Sequence, residues 1–279
     1  MFINTLPPRR NGIAYLLWRW ILKNNGEFCA SFDSWYFGPS RGMNDYNVLA
    51  TSYRKTDAKP DKLYSILPTV LSLIGDCKNK TVVDIGCGSG FFTNALIEHG
   101  AKKVIGLDNS NTQLEIAKMN SPYSDIDYQY SDMFVDKLVR SDIMVAPFVA
   151  NYARTIPILE HFFRQAHASL NENGKIVLVI DLPNGKNLQR FGAIKTMSKP
   201  FVNESGIKIK LFKDEKETCI LNAIYFSPET IAFSLRKAGF KNIEWHKPLI
   251  SQEGMTVLGN DFWQGYLDDP ELGYVSAEK

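Results

Sequence analysis

A chain of 279 residues, 44% of them hydrophobic and 12% aromatic, is long enough for one large core with additions. Its 32 Lys and Arg against 30 Asp and Glu leave a net charge of +2, which supplies no electrostatic footprint for a polyanion, so a nucleic-acid partner is not expected. Cys29, Cys77, Cys87 and Cys219 are scattered, with no CxxC pair and no histidine at zinc-ligand spacing; this excludes a structural metal and fits a reduced, cytoplasmic protein.

Residues 1–42 read as an aromatic N-terminal extension, with Tyr15, Trp18, Trp20, Trp35, Tyr36 and Phe37. Its apolar run at 13–22 is broken by Arg19 and falls short of the roughly 20 residues a spanning helix needs. Arg9 and Arg10 precede that run as in an export signal, but no small-residue cleavage site follows, and export is not expected. From residue 81 short β-rich runs alternate with helical segments, the pattern of a parallel sheet covered on both faces. The expected strands are 81–85, 103–107, 126–130, 142–146 and 175–180. One helix begins after Gly90 and stops at Gly100; the next carries Ser110 and Gln113 at capping-box spacing. A third begins near Pro157 and ends in a turn at 171–174.

Residues 183–224 contain no further βα unit. Ile207, Ile209 and Leu211 alternate with Lys208 and Lys210, and a polar turn leads to an apolar run at 219–226, which predicts an inserted β-hairpin. The insert holds eight basic residues against four acids, and Arg190 and Lys195 lie outside the hairpin beside Phe191, Ile194 and Met197. Ser227, Pro228 and Gly239 then bound another helix, and two last strands are expected at 242–247 and 273–278.

The strongest chemical signal is VVDIGCGSGFF at 82–92, a buried strand running into Gly86, Gly88 and Gly90 and then into a helix. Glycines suit a tight turn that a ligand approaches closely, and the helix N-terminus attracts an anion. The spacing is GxGxG, since Phe91 stands where a dinucleotide fingerprint has its third glycine. Asp108 ends the second strand in VIGLDNS, where a nucleotide-binding fold keeps an acid for ribose hydroxyls. With the capping box assigned to Ser110 and Gln113, Asp108 is free for that task.

Together with Asp84, two residues before the first glycine, these features resemble the nucleotide-binding loop of class I S-adenosylmethionine-dependent methyltransferases, from about residue 43 to the C-terminus. The resemblance implies a doubly wound α/β fold with a seven-stranded sheet in the order 3-2-1-4-5-7-6, strand seven antiparallel; residues 183–224, inserted between strand five and the helix before strand six, can reach the carboxyl edge of that sheet and are expected to form an acceptor lid. It implies S-adenosylmethionine as cofactor, with Asp132 in YSDMF reaching the adenine amino group and Met133 and Asn109 flanking the purine. Cys87 in the loop and Ala146 after strand four complete the cofactor set. The Asn-Pro-Pro-Tyr signature of amine-directed nucleic-acid methyltransferases is missing; Ala146, Pro147 and Phe148 stand there instead. NDYNVLATSYRK at 44–55 and the tail from 261 resemble the toxoflavin-type N-methyltransferase branch, which implies an N-terminal helix placing Tyr46 and Tyr53 over the cofactor, and a small-molecule acceptor methylated at nitrogen or oxygen.

No general base stands out. His161 falls about 200° from Leu159 on its helix, off the apolar stripe. His99 and His167 have structural explanations, which leaves Tyr152, Arg154 and His246 as acceptor-site candidates. Two other functions share this fold signal: a non-catalytic cofactor-binding scaffold, and a nicotinamide-dependent oxidoreductase, which Phe91 disfavours.

Overall fold

The computed structural model describes residues 44–183, 189–213, 216–268 and 271–279; the N-terminal extension lies outside the described residues. Helix α1 (Tyr46–Arg54) is capped by Asp45, whose side chain accepts from Asn47 N, and a π-helical turn (Lys62–Ile66) runs into α2 (Leu67–Ile74). The alternating region then gives β1 (Thr81–Ile85), α3 (Phe91–Glu98), β2 (Lys103–Asp108), α4 (Asn111–Asn120), β3 (Asp127–Tyr130), β4 (Ser141–Pro147), α5 (Ile156–Ser169) and β5 (Leu170–Asp181). The insert forms β6 (Ala193–Thr196), β7 (Gly206–Lys213) and β8 (Lys216–Ile224), and the chain closes with α6 (Pro228–Ala238), β9 (Lys241–His246), α7 (Gln252–Trp263) and β10 (Leu272–Glu278).

The main sheet has the order β3-β2-β1-β4-β5-β10-β9, with β10 antiparallel to both neighbours. This is the order expected from the sequence, with β9 and β10 as strands six and seven. Side chains alternate across the sheet, so each strand serves two cores. Val83, Ile85, Met144, Ile176 and Leu178 meet Phe162 and Phe163 of α5 and Ile231 of α6 on one face. Val82, Val104, Val145 and Val177 meet Val70 and Ile74 of α2 and Phe92 and Leu96 of α3 on the other. Fully burying one such side chain contributes about 1.5–3 kcal/mol, which is why these runs are apolar throughout rather than alternating.

Three local expectations are corrected, and one helix was not anticipated. The insert is a three-stranded antiparallel sheet, not a hairpin: β6 pairs with β7 from Ala193↔Leu211 to Thr196↔Lys208, and a strand this short carries no readable period. The turn expected at 171–174 lies inside the span of β5, where Asn173 adopts φ 59° and the pairing with β4 shifts register. Helix α7 had no sequence signal because Gly254 and Gly259 dilute its pattern; Gly259 breaks it with φ 75°, and Trp263 Nε1 donates to Gly254 O at 3.0 Å. The capping box of α4 is only half made: Ser110 Oγ accepts from Gln113 N at 3.2 Å, but Ser110 N donates to Asp108 Oδ1 at 2.9 Å, not to Gln113.

Candidate active site

The carboxyl ends of β1, β2 and β4 open into a cavity of about 720 Å³ roofed by α1. Gly86 and Gly88 line it with φ 69° and 54°, and a Cβ on Gly86 would stand 2.8 Å from Val149 Cγ2, so only glycine fits this turn. Gly90 is the N-cap of α3 in the left-handed region, with no side chain capping the helix. Its role is packing: a Cβ there would meet Tyr128 Oη at 2.6 Å.

Asp108 projects from the end of β2 into the same cavity. Its Oδ2 accepts from Gly88 N at 2.8 Å and its Oδ1 from Ser110 N at 2.9 Å, so one carboxylate ties the glycine loop to the start of α4. Each oxygen keeps a further lone pair for a ligand hydroxyl. Burial pushes this carboxyl up to about 6, opposed by its hydrogen bonds from the Gly88, Ser110 and Asn109 backbone. Asn109, Met133, Phe134, Tyr46 and Tyr53 are among the other lining residues. Helix α1 is strapped on at its N-terminal end: Asn47 Oδ1 accepts from Ser110 Oγ at 2.9 Å, and just before the helix Asn44 exchanges hydrogen bonds of 2.8 and 2.9 Å with the Asn222 backbone on β8.

These features pair a glycine cradle with an acid at the end of the second strand. Residues 52–200, more than half of the chain, match the "Methyltransferase small domain" family. The chain belongs to this family. An uncharacterized protein of Haemophilus influenzae is 31% identical over 144 residues, covering 47% of this chain and 54% of that protein, so the chain spans about half the length of this relative. A ribosomal protein L11 methyltransferase of Shewanella is 34% identical over 86 residues, 29% of each protein. The solved S-adenosylmethionine-dependent methyltransferase of Mesorhizobium loti has the same fold, with a TM-score of 0.58 at 20% identity, covering 80% of this chain and 99% of that one.

Next to this cradle lies a second cavity, bounded by the segment before α2, the end of β5, the inserted sheet and the stretch leading into β10. The two cavities share Tyr53, Phe148 and Tyr152 as a common wall. Phe148 follows Pro147 at φ 67°, a strained conformation for an aromatic residue, held by its N–H donating to Val179 O at 2.7 Å. The hydroxyls of Tyr46 and Tyr152 are hydrogen-bonded across the wall. Burial raises the phenols of Tyr46, Tyr53 and Tyr152, so all three stay protonated.

This second cavity is lined mostly by aromatic and aliphatic side chains, with buried charged residues among them. Lys195 of β6 reaches Asp181 at the end of β5, Nζ to Oδ1 at 2.8 Å, and also donates to Glu271 O at 2.6 Å; both charged residues are 5% exposed. Lys59, Asp61 and Lys62 form a second charged group, with Lys62 Nζ lying 4.5 Å from the Phe91 ring centroid.

Several residues expected in the site line neither cavity. Asp84 is buried behind the loop, its Oδ2 accepting from Thr93 Oγ1 at 2.7 Å, and burial pushes its carboxyl up to about 7. Cys87 packs beneath Gly106, and Ala146 is buried in β4. Asp132 caps its own turn, accepting from Phe134 N at 3.0 Å. Arg154 is exposed, and His246 sits on the edge strand with Nε2 2.8 Å from Ser276 Oγ. Sequence reading passed over Lys59, Asp61, Asp181 and Tyr266, which line the second cavity. Asp181 alone had a usable signal, because the carboxyl end of a parallel strand is where such sheets place ligands.

Proposed function

We propose that the chain is an S-adenosylmethionine-dependent methyltransferase whose acceptor is a small molecule methylated at nitrogen or oxygen, with residues 183–224 as its lid. The observation that carries this reading is the shared wall: a nucleotide cradle adjoins, through Tyr53, Phe148 and Tyr152, a second cavity lined mostly by aromatic and aliphatic side chains, which suits a small aromatic molecule. A scaffold that only bound cofactor would need no second cavity at that point.

The cofactor supplies an activated methyl group on a sulfonium. Asp108 holds the ribose; Gly86, Gly88 and the α3 N-terminus suit the methionine carboxylate; Asn109 and Met133 flank the adenine. Tyr46 and Tyr53 close over the site from α1, and Phe148 offers its ring as the surface against which a flat acceptor lies. Tyr152 donates toward the acceptor and stays neutral. Holding the acceptor in line and excluding water accounts for roughly 7–11 kcal/mol of barrier lowering in such reactions, so an amine or phenolate reacts without a dedicated base. Asp181, the carboxylate on the acceptor wall, orients a donor group of the acceptor.

Calorimetric titration with S-adenosylhomocysteine, followed by a labelled-methyl screen over small amines, phenols and heterocycles, tests this reading. Binding plus transfer to one of these classes is expected; no binding, or transfer only into protein fractions, overturns it.

The Asp108 carboxyl sets the pH dependence of cofactor binding. Only the ionised form accepts both ribose protons, so affinity is full above about 6 and falls as pH drops through that value. Titrations between pH 5 and 8 are expected to show this fall in the unmodified chain and in Asp84→Asn alike. A flat profile would contradict the assignment.

A further inference from the structure

Gln113 lies in the first turn of α4, 1% exposed, with neither its Oε1 nor its Nε2 hydrogen-bonded to any protein group. A buried amide without partners is costly and rare, and such groups cluster where a ligand completes them. Capping does not account for it, because the Ser110 N–H that a capping box would give to Gln113 is held by Asp108 at 2.9 Å. The side chain lines the cofactor cavity, and its Oε1 lies 4.0 Å from where a Cβ on Gly88 would stand, which places the amide beside the Gly88–Asp108 pair.

We infer that Gln113 reads the ribose diol of the cofactor together with Asp108, an inference that rests on the methyltransferase reading. The chemistry is complementary. An ionised carboxylate takes the hydroxyl protons but has none to return, and the Asp108 oxygens already accept the Gly88 and Ser110 N–H groups. The ribose oxygens therefore need a donor, and the Gln113 Nε2 brings two protons to that place. Asp108 recognises a hydroxyl as a donor, and Gln113 recognises the same hydroxyl as an acceptor; the pair distinguishes a ribose from a deoxyribose.

The test uses the full chain, with Gln113→Met as a near-isosteric apolar variant. Calorimetry with S-adenosylhomocysteine and with its 2′-deoxy and 3′-deoxy analogues measures whether the loss belongs to one hydroxyl. Gln113→Met is expected to weaken S-adenosylhomocysteine about tenfold, yet to change binding of the analogue lacking the contacted hydroxyl by less than about twofold. The ligand-free variant is expected to melt about 2–4 °C higher, because two unpaired buried polar atoms are gone. Equal losses for all three ligands, unchanged affinity, or a lower ligand-free Tm overturns the inference and makes Gln113 a packing residue. If the unmodified chain does not bind S-adenosylhomocysteine, the methyltransferase reading falls and this inference with it. If the unmodified chain binds and the variant matches it, only the role of Gln113 falls.

Discussion

Asp108→Ala is expected to weaken S-adenosylhomocysteine binding by about 2–4 kcal/mol, because two charge-assisted hydrogen bonds to the ribose are lost at once. The same change also destabilises the ligand-free chain, since Asp108 Oδ2 and Oδ1 hold the N–H groups of Gly88 and Ser110 at 2.8 and 2.9 Å. Each N–H left without a partner costs about 1–3 kcal/mol unless water reaches it. Calorimetry and thermal melting together separate the two effects. An affinity unchanged within error would remove Asp108 from the ribose site even if the melting temperature fell. Asp108 and Gln113 thus have opposite signatures in the ligand-free chain: removing the carboxylate lowers Tm, and removing the amide raises it.

The largest stability effect is expected at the Asp181–Lys195 pair. Asp181→Ala leaves the Lys195 ammonium, its side chain 3% exposed, without its counter-charge, and breaking a buried pair from one side costs about 3–5 kcal/mol. In a domain of this size that corresponds to a Tm about 10 °C lower. Asp181→Leu combined with Lys195→Met is expected to recover most of the loss, because a buried ion pair gains little over well-packed apolar side chains. The pair joins β6 of the inserted sheet to β5 of the main sheet, and Asn151 reinforces the same junction: its Nδ2 donates to Ile224 O at 2.9 Å and its Oδ1 accepts from Asp181 N at 2.8 Å. Asp181→Ala therefore loosens the inserted sheet against the main sheet. Thermal melting of the three chains checks the first claim. If the double variant melts no higher than Asp181→Ala, the cost does not come from an uncompensated charge.

The sequence by itself determined the strands of the main sheet and the position of the nucleotide cradle. Val82, Val83 and Ile85 must be buried on both faces, which only a strand inside a doubly covered sheet allows, and three glycines directly after them admit only a sharp turn into a helix. Asp108 was legible for the same reason, as an acid fixed at a strand end by its own short-range context. Tertiary structure decided the rest. The second cavity is assembled from residues as distant in the chain as Tyr53, Phe148, Asp181, Leu221 and Tyr266, which share no period, so their common wall exists only once the sheet brings their segments together. The Lys195–Asp181 pair and the Asn44–Asn222 strap are equally non-local. Gln113 shows the reason most directly. Its spacing from Ser110 permits a cap, but a polar group bonds to whichever partner lies nearest in space, and Asp108, two residues before Ser110, takes the N–H on which the capping assignment depended.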